Sequence, residues 1–208
     1  MKSCCEDKAG ELAELRTRQG RVLGVVLAIN AIMFVVEATG GIVARSTALL
    51  ADSLDMFGDA SVYALSLWVL HRGPVWRART AVIKGAVMGL FGAGILIEAA
   101  LKLGSEVSPE AHTMSAIGLV ALGANVACIV LLFRHRTDDL NLRSTWLCSR
   151  NDIIANLGVI LAAIAVGIVG SGWPDLLVGA FIAALFLRSA GSVLREGIVE
   201  LRRVSRAP

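Results

Sequence analysis

The sequence predicts an all-α, polytopic membrane protein with six transmembrane helices and both termini on the cytoplasmic side. Composition is the first reason. Hydrophobic residues make up 56% of the 208-residue chain and charged residues only 18%, with a mean hydropathy of +0.71. Soluble domains run at about 45–50% apolar and about 25% charged. The second reason is that six stretches approach the roughly 20 apolar residues that cross a hydrocarbon core about 30 Å thick. The third is a one-sided distribution of Lys and Arg between the connections. Together these exclude disorder, collagen-like repeats and a disulfide scaffold. A net charge of +3, spread along the chain, gives no basis for nucleic-acid binding.

The spans are expected at 22–44, 48–71, 80–103, 113–134, 145–170 and 174–194. Residues 1–21 form a mixed-charge, helix-favouring segment that reads as retained, because the apolar run after it exceeds a signal-peptide core. Residues 195–208 remain as a short tail. Sixteen of the twenty Lys and Arg residues fall in, or at the span ends (Lys84 and Arg134) beside, segment 1–21, the second-to-third and fourth-to-fifth connections, and the tail, whereas Arg45 and Lys102 lie at the opposite side. The positive-inside rule places the richer side in the cytoplasm.

Several span features read as structural. On the third span, Glu98 and Lys102 stand at i, i+4 near the outer end and suit a rim ion pair. Gly85 and Gly89 there, and Gly179 and Ala183 on the sixth span, have the small-xxx-small spacing of close helix contacts. Asn125 on the fourth span suits an interhelical hydrogen bond, and Cys128 sits in an apolar run. Pro174 and Asp175 suit the start of the sixth helix, with an acid at the positive end of the helix dipole. The four cysteines are too few for a disulfide framework. Cys4 and Cys5 are a weak metal-collecting signal, and His71, His112 and His135 lie at span ends without clustering.

Carboxylates inside apolar helices carry the chemistry. A charge at mid-bilayer costs about 2.5–3.5 kcal/mol on insertion scales, so intramembrane acids are functional candidates by default. On the second span Asp52, Asp55 and Asp59 share one stripe. Asp52 and Asp59 are about 20° apart and Asp55 about 60° away at 100° per residue. Asp59 lies about 18 Å of helical rise from His71, well inside the span. Two carboxylates about 6 Å apart repel by roughly 3 kcal/mol at an effective dielectric near 20. A divalent cation removes that repulsion, and protons do the same when the ion leaves, which is the physical basis of metal–proton exchange. Capping or arginine pairing is the bland alternative, and it weighs most on Asp52, nearer the outer end.

On the fifth span Cys148 and Asp152 share a face at i, i+4, with Asn156 one turn further. A thiol and a carboxylate so placed can share one ion, and sulfur favours zinc or cadmium over magnesium or calcium. A packing role for Cys148 competes evenly with the ligand role. On the first span Asn30 and Glu37, seven apart, suit an ion route or interhelical hydrogen bonding equally.

The segment STALLADSLDMFGD, Ser46 to Asp59, resembles the second-span motif of the cation diffusion facilitator (cation efflux) family, and CSRND followed by GVILAA resembles its fifth-span motif. The resemblance runs over nearly the whole chain. It implies six spans and a tetrahedral transport site of Asp55, Asp59, Cys148 and Asp152, with Asp52 matching an acid common one turn before the first ligand. It further implies export of divalent metal in exchange for protons by alternating access, and a homodimer. Two departures stand out. Zinc-transporting members often carry histidine where Asp55 and Cys148 stand. Their cytoplasmic metal-binding domain also has no counterpart before Pro208, so the expectation is a short form that dimerises through its transmembrane helices.

The resulting reading is a secondary transporter exporting zinc, with cadmium and cobalt as further cargo, and no resident cofactor. Asp52, Asn156, Glu37 and Asn30 are the accessory residues. A manganese or iron(II) exporter using the three aspartates alone is one alternative; a membrane metal sensor that does not transport is another. No GxGxxG, GxxxxGK or HExxH motif supports an enzyme.

Overall fold

The computed structural model describes residues 4–68, 74–104, 108–134 and 142–204, without the side chains of 4–23, 63, 66–68, 74, 77, 133–134 and 142–151. Six helices account for nearly all of them: α1 (Cys4–Ala44), α2 (Thr47–Trp68), α3 (Pro74–Lys102), α4 (Ala111–Arg134), α5 (Leu142–Val169) and α6 (Trp173–Val204). Five are long and apolar enough to cross a membrane, with spans at Gly24–Ala44, Ala78–Lys102, Ala111–Leu132, Asp152–Val169 and Trp173–Val204. The second helix is not among the five, and it is the one that carries three aspartates. The six expected spans therefore correspond to six helices, with the polar load concentrated in one. The last helix continues ten residues beyond the expected end of its span, because Val193 and Gly197 still face the interior.

Burial follows the membrane pattern. Large apolar side chains such as Ile42, Leu90, Leu101 and Ile168 face outward, while Asn30, Glu37, Asp52, Asn125, Asn156 and Asp175 lie inside. Such an arrangement is stable only where the outside is hydrocarbon. The helices group as a polar-cored set, α1, α2, α4 and α5, flanked by α3 and α6, which make the most extensive helix pair in the molecule. Ala48, Leu49, Ala51, Met114, Val159 and Ala163 form the main apolar core at the α1–α2 turn end. A chain of rings, Phe34 to Phe57 to Phe91, links α1, α2 and α3 at centroid distances of 5.4 and 5.5 Å.

The turn from α1 to α2 is short and heavily bonded. Arg45 takes the left-handed conformation (φ 56°). The Ser46 amide donates to the Gly41 carbonyl at 2.9 Å and the Arg45 amide to the Ile42 carbonyl at 3.3 Å. This is a Schellman ending with arginine where glycine is usual. Ser46 then caps α2, its hydroxyl accepting from the Leu49 amide at 3.0 Å.

Asp175 lies in the first turn of α6, as its sequence position suggests, but its carboxylate serves α2. It accepts from the Ser46 hydroxyl (2.6 Å), the Thr47 amide (2.7 Å) and the Ala48 amide (3.0 Å). The free amides at the start of one helix are thus satisfied by an acid on another. Gly179, one turn along α6, makes the approach possible: a Cβ there would stand 2.7 Å from the Thr47 carbonyl carbon.

Candidate metal centre

The acids expected on one stripe of α2 stay together, at different depths of burial. Asp52 is 1% exposed, whereas Asp55 and Asp59, further from the α1–α2 turn, are half-buried. From α1, Glu37 enters this region with no exposed surface at all. From α5 come half-buried Asp152 and, one turn on, buried Asn156. The groups lie within electrostatic reach of one another: Asp52 and Asp55 of Glu37, and Asp55 and Asp152 of Asp52. Three helices therefore bring at least four carboxylates into one interior region.

Hydrogen bonding separates these side chains. Asp55, Asp59 and Asp152 each interact with a neighbouring group. Both carboxylate oxygens of Glu37 and both of Asp52 lack any hydrogen-bond partner among the described residues, as does the side-chain oxygen of Asn156. The Asn156 amide nitrogen donates to the Asp152 carbonyl at 2.8 Å, which fixes the side chain on its own helix and leaves the oxygen free. Buried polar groups are paired in the great majority of proteins. An unpaired buried carboxylate is costlier still, which makes these side chains candidates for a functional role.

Among the described residues, no three Cys, His, Asp or Glu side chains are gathered tightly enough to hold a metal ion as they stand. The side chain of Cys148 lies outside the described residues, although its backbone position on α5, four residues before Asp152, is helical as expected. The side chains of Cys4 and Cys5 are likewise outside the description, and His71 and His135 fall outside the described residues altogether.

The remaining sequence candidates separate into structural roles. The Asn30 amide donates to the Val26 carbonyl (2.9 Å) and the Cys128 sulfur (3.7 Å), joining α1 to α4. Lys102 pairs with Glu98 as its spacing suggests, and also donates to the Arg45 carbonyl at 2.9 Å and the Thr47 hydroxyl at 3.2 Å. It thereby ties α3 to the α1–α2 turn. Gly85 packs within the chain, where a Cβ would meet the Leu194 backbone nitrogen at 2.8 Å, whereas Gly89 has nothing within 4 Å. The roles of Asp175 and Lys102 at the α1–α2 turn depend on partners far along the chain, so local pattern alone did not reveal them.

The description "Cation efflux transmembrane domain" matches residues 23–202, nearly the whole chain. The chain belongs to the cation efflux family. It is thus a multi-pass membrane protein, and the acid-bearing α2 is a membrane helix despite its polarity. Among curated members of the cation efflux family, it is 31% identical over 191 residues to the cadmium, cobalt and zinc/H(+)-K(+) antiporter of Bacillus subtilis, covering 83% of this chain and 61% of the relative. It is 28% identical over 198 residues to the metal cation efflux system protein CzcD of Cupriavidus metallidurans, covering 86% and 62%. Zinc transporter ZitB of Yersinia pestis is 29% identical over 192 residues, covering 85% and 61%. The chain spans about three fifths of the length of these cation efflux relatives.

Proposed function

We propose that the chain exports zinc, with cadmium and cobalt as further cargo, from the cytoplasm in exchange for protons by alternating access. Both termini face the cytoplasm in this reading, and two copies associate through their membrane helices. Asp55 and Asp59 on α2, with Cys148 and Asp152 on α5, hold the ion in transit. The observation that carries the reading is the gathering of mutually repelling carboxylates from α1, α2 and α5 inside membrane helices, without a salt bridge to Glu37 or Asp52 among the described residues. A divalent cation relieves that repulsion on arrival, and protons relieve it on departure. The names of the relatives, which include zinc, cadmium and cobalt, support the choice of cargo. The thiol of Cys148 favours the softer of these ions.

The test is zinc uptake into proteoliposomes under an imposed pH gradient, with wild type beside Asp59→Ala. Gradient-driven uptake abolished by the substitution is the expected result. Zinc binding without flux in wild type overturns transport and leaves a sensor. Manganese flux that survives Cys148→Ser, without zinc flux, overturns the role given to Cys148 and leaves the three aspartates as an oxygen-only centre.

A further inference from the structure

One set of buried groups is not used by the four-residue centre. Glu37 and Asp52 are 0% and 1% exposed, lie within electrostatic reach of each other, and have four carboxylate oxygens without a hydrogen-bond partner among the described residues. Asn156, also 1% exposed, adds a fifth such oxygen. Its level on α5 is bracketed by contacts with α2. One turn before it, Asp152 repels Asp52; three residues after it, Val159 packs in one cluster with Ala48, Leu49 and Ala51. Glu37 is bracketed likewise on α1, since Met33 packs with Met56 on one side and Gly41 meets Leu50 on the other. All three side chains therefore sit at the Asp52 level, about 4.5 Å of helical rise from Asp55 toward the α1–α2 turn.

The surroundings decide what the set can hold. Apolar layers lie on both sides: Met33, Met56 and Ala121 on one, and Leu49, Met114 and Ala163 on the other. No sulfur or imidazole belongs to the set. Two carboxylates and an amide oxygen are hard donors, suited to a divalent cation that accepts oxygen ligands and unsuited to selecting a soft one.

We propose that Glu37, Asp52 and the side-chain oxygen of Asn156 form a second, all-oxygen position for a divalent cation, one turn from Asp55 toward the α1–α2 turn. Its place as a step in transit rests on the reading of Asp55, Asp59, Cys148 and Asp152 as the cargo centre. An ion leaving that centre toward the turn meets Glu37 and Asp52 next, and exchanges a thiol-containing shell for an oxygen shell. The weaker hold of the second shell on a soft ion favours onward release.

Manganese(II) is the probe, because it accepts oxygen ligands and is read directly by electron paramagnetic resonance. Titration of the full chain in lipid nanodiscs compares Asp59→Asn/Asp152→Asn with the same background carrying Glu37→Gln or Asp52→Asn. The background is expected to retain one bound manganese, and each added substitution to weaken it at least tenfold. Glu37→Asp, which keeps the charge, is expected to retain most of the affinity, and the isosteric Glu37→Gln controls for folding through an unchanged elution profile. Manganese binding indifferent to both added substitutions overturns the proposal, as does loss of all binding in the background alone. Retained manganese in a protein that moves no zinc in liposomes defeats the transport reading while the second position stands.

Discussion

Where α3 meets α6, backbone approaches backbone; where α1, α2 and α5 meet, carboxylate approaches carboxylate. Gly85 of α3 lies against the Leu194 backbone and Gly197 of α6 against Val82, where a Cβ would stand 2.9 Å from the Val82 nitrogen. Within a bilayer such contacts are held by close packing, because lipid tails are as apolar as leucine. The neighbouring region gives up that economy. It keeps Glu37 and Asp52 buried and unpaired among the described residues, and this lowers stability. The contrast teaches that the molecule divides its labour: one helix pair supplies cohesion, and the adjoining set keeps buried carboxyl groups without hydrogen-bond partners among the described residues.

Four substitutions test this division. Asp175→Ala at the junction of the two regions is expected to have the largest effect, about 3 kcal/mol or more, because it strips three hydrogen bonds from a buried carboxylate and orphans two amides. Thermal unfolding of the detergent-solubilised protein, followed by helical circular dichroism, measures it. A loss no larger than that of an exposed control such as Glu200→Ala would show that α2 does not depend on α6 for its cap.

Gly85→Ala comes next. Its new methyl group meets backbone and not a flexible side-chain end, so overpacking is expected to cost about 2–3 kcal/mol. Zinc flux per folded molecule should stay close to wild type, which separates cohesion from chemistry. Substitution of Gly89 by Ala, with open space around it, serves as the control.

Glu37→Met reverses the sign. Replacing an unpartnered buried carboxylate with an apolar side chain of similar length is expected to stabilise the protein by about 1–2 kcal/mol. Transport should fall at the same time. A destabilised variant with full flux would break the comparison outright. Smallest is Arg45→Gly, expected to raise stability by about 1 kcal/mol because glycine takes the left-handed conformation without a Cβ clash. The Arg45 carbonyl that accepts from Lys102 is retained.

The sequence showed the architecture where the physics is local. Hydropathy over some 20 residues locates a membrane helix regardless of its neighbours, and the i, i+4 spacing of Glu98 and Lys102 is enough to pair them. The stripe of Asp52, Asp55 and Asp59 is likewise a property of one helix. Legibility ended where partners are distant. Asn30 was balanced between an ion route and a helix contact until Cys128, 98 residues away, proved to accept its hydrogen bond. Glu37 and Asn30 share a stripe on α1, yet one is paired and the other bare, and only packing distinguishes them. The helix of α6 runs past the expected span for a related reason: its polar residues reduce hydropathy, while Gly197 continues to pack on Val82.

The clasp at Asp175 also bears on how the protein is made. Thr47 and its acceptor are 128 residues apart in the chain. A growing chain therefore emerges with its second helix, the one bearing three aspartates, capped by Ser46 alone and without the acid that accepts from the Thr47 and Ala48 amides. The Asp175 bonds to that helix form only once the sixth helix has been synthesised and lies alongside it, and any chain released before Asp175 lacks the residue that makes them.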